Sequence, residues 1–209
     1  MRLFQEAGIY VLVILNMRNM NIDIADGYPR WDYSYYDLLT RLVDAFQGYS
    51  NTLGFAVDLN DPSMAGVEHI SLEKAVLRDM KKYIQSKKYR NIPVGAMGFS
   101  YNPTSVSEYM TCGSKESSAD FYGIKNLFRY HAPLPYYRIS EDYSNSSIPL
   151  FFYYDINLKK DQDYSQVQDI YAEPVTKVFS GGVLREWFRN PASEQDRGRC
   201  ANSYITIQY

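Results

Sequence analysis

Histidine, tryptophan and cysteine are scarce in this 209-residue chain, two of each. His69 and His131 are too few for a metal constellation, so no metal is expected, and no motif calls for a cofactor. Cys112 and Cys200 permit one disulfide without requiring it. Charge of one sign is also lacking: the net charge is -2, which leaves no basic field for nucleic acid or an anionic membrane. No apolar run approaches the roughly 20 residues that cross a bilayer. The best candidate, IYVLVIL at 9–15, reads as a buried strand. No signal peptide is visible, because the opening MRLFQEAG reads as the end of a helix, so the amino terminus assigns no compartment.

What the chain has in excess is tyrosine, 21 residues, crowded as YSYY (33–36), PYY (135–137) and FFYY (151–154). A tyrosine ring joins an apolar face to a polar tip, which suits sugar stacking and equally suits a packed, half-wet rim. Hydrophobic content of 45% and charged content of 22% are those of a globular chain with a single core.

Strand-like and helix-like segments alternate. GIYVLVIL (8–15) is a continuous apolar run, the mark of a parallel strand covered on both faces. A helix follows, with Tyr35, Leu38, Leu39, Leu42 and Phe46 on one face. TLGFAVDL (52–59) is the next strand, and SLEKAVLRDMKKYIQSKK (71–88) is a helix with Ser71 as its N-cap. Further strands are expected at 92–100, 120–126, 148–156 and 178–188. Six such strands predict an α/β fold with a parallel sheet, against the eight strands and roughly 250 residues of a complete βα-barrel.

EAGIYVLVIL (6–15), AFQGYSNTLGF (45–55), KKYIQSKKYRNIPVG (81–95), SADFYGI (118–124), SIPLFF (147–152) and VFSGG (178–182) occur in one order. Together they resemble the fungal β-1,3-glucanosyltransferases of glycoside hydrolase family 72, secreted, glycolipid-anchored cell-wall enzymes. The resemblance implies the later part of a (β/α)8 TIM barrel, truncated at its amino-terminal side to about six of eight βα units. It spans residues 1–190, with 191–209 a divergent C-terminal segment. It also implies β-1,3-glucan as the ligand.

Family members are retaining enzymes, with a glutamate acid/base and a glutamate nucleophile on two strand ends. Such chemistry needs the carboxyls about 5–5.5 Å apart. The acid/base position falls on Leu59 or Asn60, depending on one gap, and the nucleophile position falls on Tyr154. Neither leucine nor asparagine can protonate a leaving oxygen. The family's aspartate on the first of these strands is Ile14, and its Asn-Met-Tyr-Glu-Trp-Cys is Lys125-Asn126-Leu127-Phe128-Arg129-Tyr130. Its tyrosine-rich segment is Arg185-Glu186-Trp187-Phe188, and its disulfide positions hold Tyr130 and Asn157. Gly54, Pro93, Gly95, Asp120, Gly123, Pro149, Gly181 and Gly182 are retained.

The expected function is therefore that of a catalytically inactive relative that keeps glucan or protein binding. Trp31, Tyr33, Tyr101, Tyr154 and Trp187 are the candidate sugar platform, and Asn145, in an Asn-Ser-Ser sequon, is the candidate glycosylation site. Two alternatives stand beside it. One is an active transglycosylase with relocated acids, Asp58 or Asp61 with Asp155; Tyr154 as a nucleophile has a precedent in sialidases. The other is a structural or assembly protein built on the fold. A barrel short of two strands exposes sheet edges, and three arrangements answer this. The chain is a fragment, it pairs with another chain or copy, or it closes into a smaller, irregular sheet.

Overall fold

A computed structural model of the chain describes residues 1–16, 31, 33–58, 67–99, 103–126, 135–155, 165–185 and 206–207. The elements, in order, are α1 (Arg2–Glu6), β1 (Tyr10–Asn16), α2 (Tyr33–Gln47), β2 (Thr52–Asp58), α3 (Val67–Ser86), β3 (Val94–Phe99), α4 (Pro103–Thr111) and β4 (Tyr122–Asn126). Then come α5 (Tyr136–Asp142), β5 (Leu150–Asp155), α6 (Ser165–Ile170), a 3-10 turn (Val175–Lys177), β6 (Gly182–Arg185) and β7 (Thr206–Ile207).

Strands β1 to β6 are parallel neighbours in chain order, each joined to the next through the helical layer. This is the expected α/β arrangement, a curled part-barrel of six parallel strands. The C-terminal segment, expected only to diverge from the family, adds a seventh strand within YITIQY (204–209), a run rich in β-branched and aromatic residues. β7 pairs antiparallel with β1 at Tyr10 and Val11, and it also lies within 8 Å, Cα to Cα, of β6.

Alternation along each strand sorts the side chains into two layers. Val11, Val13, Leu15, Phe55, Val57, Val94, Ala96, Tyr122, Ile124, Leu150 and Phe152 face the helices and form the larger core. Leu12, Ala56, Met97, Tyr153 and Val183 face the barrel interior, with Ile14, Phe121 and Phe151 against them. Interior space is tight enough to explain the retained glycines. A Cβ on Gly95 would lie 2.4 Å from the Phe121 ring, and one on Gly123 would lie 2.5 Å from Phe151.

Several local expectations are corrected. α3 begins at Val67, so Ser71 is an exposed residue inside the helix and not its cap. On α2 the buried residues are Leu39, Thr40 and Val43, whereas Leu38 is 47% exposed. The inward stripe is the i, i+3, i+7, i+10 set Tyr36, Leu39, Val43 and Phe46, which leaves Leu38 to one side. The strand expected over 178–188 starts only at Gly182, because Gly181, at φ +136°, turns the chain first.

Candidate cleft at the carboxyl ends of the strands

In βα-barrels the reactive face is built at the C-terminal ends of the strands. Here that face holds a buried ion pair. Lys125, on β4, donates from Nζ to the Asp58 carboxylate at the end of β2, reaching across the intervening β3. Their side chains are only 2% and 7% exposed. Asp58 shares the parity of Ala56, and Lys125 that of Gly123, so both belong to the inner layer. An ammonium and a carboxylate this far out of water persist because each compensates the other.

A second polar and aromatic cluster lies in the helical layer. The Trp31 indole Nε1 donates to Asp79 Oδ2 at 2.8 Å, and Arg78 Nε donates to Asp79 Oδ1 at 2.8 Å. Burial pushes the Asp79 carboxyl up, but the Arg78 and Trp31 hydrogen bonds and the Arg78 charge outweigh it, leaving Asp79 below its ordinary value. Asp44 accepts from the Tyr83 hydroxyl at 2.9 Å and the Tyr89 hydroxyl at 2.8 Å. Burial, then that hydrogen bond and charge, push Tyr83 up to about 12. Tyr36 is raised by burial, then by Asp79 and Tyr33.

The residues singled out from sequence separate into groups. Trp31 and Tyr33 come together through Tyr36, but on the helical layer. Tyr154 and Asp155 are backbone members of β5, paired with Leu184 and Arg185 of β6; their side chains lie outside the described set. Leu59, Asn60, Asp61, Tyr101 and Trp187 lie outside the described residues. Asn145 stands in an exposed turn after α5, with Ser147 of its sequon also exposed.

Cys112 is a free, exposed thiol, and Cys200 lies outside the described residues. Lys74 Nζ sits 3.0 Å from Cys112 Sγ while donating to the carbonyls of Cys112 and Tyr109, so it caps the carboxyl end of α4. Sequence reasoning named Lys125 only as standing where the family has an asparagine and missed its pairing with Asp58. Its signal was an isolated charge at an inward position of an otherwise apolar strand.

Residues 1–195 match the family described as Glucanosyltransferase, glycoside hydrolase family 72. The chain belongs to that family. Protein EPD2 of Candida maltosa is 33% identical over 197 residues, covering 90% of this chain and 35% of EPD2. The 1,3-beta-glucanosyltransferase gas4 of Schizosaccharomyces pombe is 31% identical over 232 residues, 99% of this chain and 50% of that protein. This glucanosyltransferase-family chain thus spans between about a third and a half of the curated relatives it matches. A variant of Saccharomyces cerevisiae Gas2p in complex with laminaritetraose and laminaripentaose superposes with a TM-score of 0.74 at 25% identity, covering 91% of this chain and 44% of that one. The fold is accordingly a part of the glucanosyltransferase TIM barrel. Among the described residues no helix is long and apolar enough to cross a membrane.

Proposed function

We propose that this chain is a catalytically silent member of the glucanosyltransferase family that binds β-1,3-glucan at the carboxyl ends of its strands. The observation that carries the reading is the Asp58–Lys125 pair. Asp58 is the described carboxylate nearest in sequence to the acid/base position, and its oxygen is engaged by an ammonium and shielded from solvent. A general acid must reach the leaving oxygen with its own proton; a carboxylate locked in a buried pair does not. The motif positions Leu59 or Asn60 and Tyr154 supply no replacement acid. Ligand class is taken from the relatives, whose structures hold laminari-oligosaccharides.

On this reading the chain acts at the cell surface, and Asn145 carries a glycan, since its turn is exposed on the side of the fold opposite the cleft. The deciding experiment incubates the protein with a reduced laminari-oligosaccharide and resolves products by mass spectrometry, alongside a titration with laminaripentaose. Binding without longer or shorter products is expected. Products above background that vanish in Asp155→Asn would overturn the reading and establish relocated acids.

A further inference from the structure

We infer that the C-terminal strand β7 closes the part-barrel from within the same chain, filling the seam between its first and last parallel strands and keeping a second copy off their edges. A run of six parallel strands ends in two edges, here the outer sides of β1 and β6, and only closure removes an edge altogether. β7 stands at that seam. It pairs antiparallel with β1, Tyr10 opposite Ile207 and Val11 opposite Thr206, and it lies within 8 Å, Cα to Cα, of β6. The sheet that starts at β6 and ends at β7 thereby returns to its own beginning.

The β1 edge is prepared for such a partner. The Ile9 carbonyl accepts from Asn51 Nδ2 at 3.0 Å, and the Val11 N–H donates to the Asn51 carbonyl at 2.8 Å, so both groups turn towards β2. The Tyr10 N–H and carbonyl lie between them in sequence and point to the outer edge. There an antiparallel partner exchanges two hydrogen bonds with them, and the residue opposite is Ile207. Burial agrees with a closed seam. Leu12 of β1 and Val183 of β6 stand on the two outermost parallel strands, yet they are only 3% and 1% exposed and share one inner layer. The occupant also has reason to be paired. CANSYITIQY (200–209) carries no charged residue and no proline, and its YITI is aromatic and β-branched. Such a segment joins other chains when left exposed, and docking it on its own sheet removes both hazards at once.

The test compares full-length wild type, Ile207→Pro and Ile207→Val by light scattering and by native-state hydrogen exchange resolved by NMR. Proline removes the N–H that position 207 gives to the Tyr10 carbonyl, whereas valine keeps it. Wild type is expected to be a monomer whose Tyr10 amide exchanges at least about ten-fold more slowly than an unpaired amide. In Ile207→Pro that protection should fall by about ten-fold or more and a dimer should appear, while Ile207→Val matches wild type. The Ala96 and Tyr122 amides, which donate to the Phe121 and Pro149 carbonyls inside the sheet, should keep their protection in all three proteins. A wild-type dimer would place the closing strand in another copy and overturn the inference. So would an unprotected Tyr10 amide in wild type, or an Ile207→Pro variant with wild-type mass and exchange. The two wild-type measurements decide the matter by themselves if the proline variant does not fold.

Discussion

Lys125 and Asp58 are 67 residues apart in sequence, yet they meet across β3 as a pair removed from water. The two form the polar end of an inner layer that is otherwise Leu12, Ala56, Met97, Tyr153 and Val183.

Breaking that pair from one side leaves an uncompensated buried charge. Lys125→Met or Asp58→Leu alone is expected to cost about 3–5 kcal/mol, whereas the two combined return to within about 1–2 kcal/mol of wild type. Urea unfolding of the four proteins measures this. Additive losses in the double variant would show that the two groups do not compensate each other.

Gly95 has no room for a methyl group, since a Cβ would meet the Phe121 ring and carbonyl oxygen at 2.4 Å. Gly95→Ala is expected to destabilise by about 1–3 kcal/mol. Gly48→Ala, where a Cβ meets nothing within 4 Å, serves as the control and should stay within about 0.5 kcal/mol. Equal melting temperatures for the two variants would contradict the tight interior.

The Tyr83 hydroxyl, ordinarily near 10, stands at about 12. A phenol raised on folding contributes stability below pH 10, and that contribution is lost as pH climbs from 10 towards 12. Tyrosinate absorbance should accordingly show a late-titrating fraction. Asp44→Asn removes the charge and weakens the hydrogen bonds to Tyr83 and Tyr89, so part of that fraction should move to lower pH. An unchanged titration would remove Asp44 as a cause.

The Cys112 thiol is exposed and free. A maleimide should label it in the folded, non-reduced protein, and Cys112→Ser should abolish that label. Labelling that appears only after reduction would instead indicate a disulfide.

Much of the fold was legible. Parallel strands covered on both faces read as apolar runs such as IYVLVIL, and α3 announced itself through Leu72, Val76, Met80 and Ile84 at helical spacing. Less was legible of the site. Trp31 and Tyr33 attract attention as sugar-stacking residues, but nothing local says that an indole nitrogen will bind Asp79, 48 positions on, and hold the ring to the helical layer. Nor does a two-residue strand such as β7 carry enough alternation to be read in advance.

The residues themselves determined family membership and the strand–helix alternation of a part-barrel, because motif identity and periodicity are local properties of a chain. Only the tertiary structure decided that Asp58 has a partner, that Gly95 has no space and that Tyr36 of α2 meets Tyr83 of α3 edge to face. Those facts depend on which strands and helices become neighbours and in what register, and register is set by the sheet as a whole.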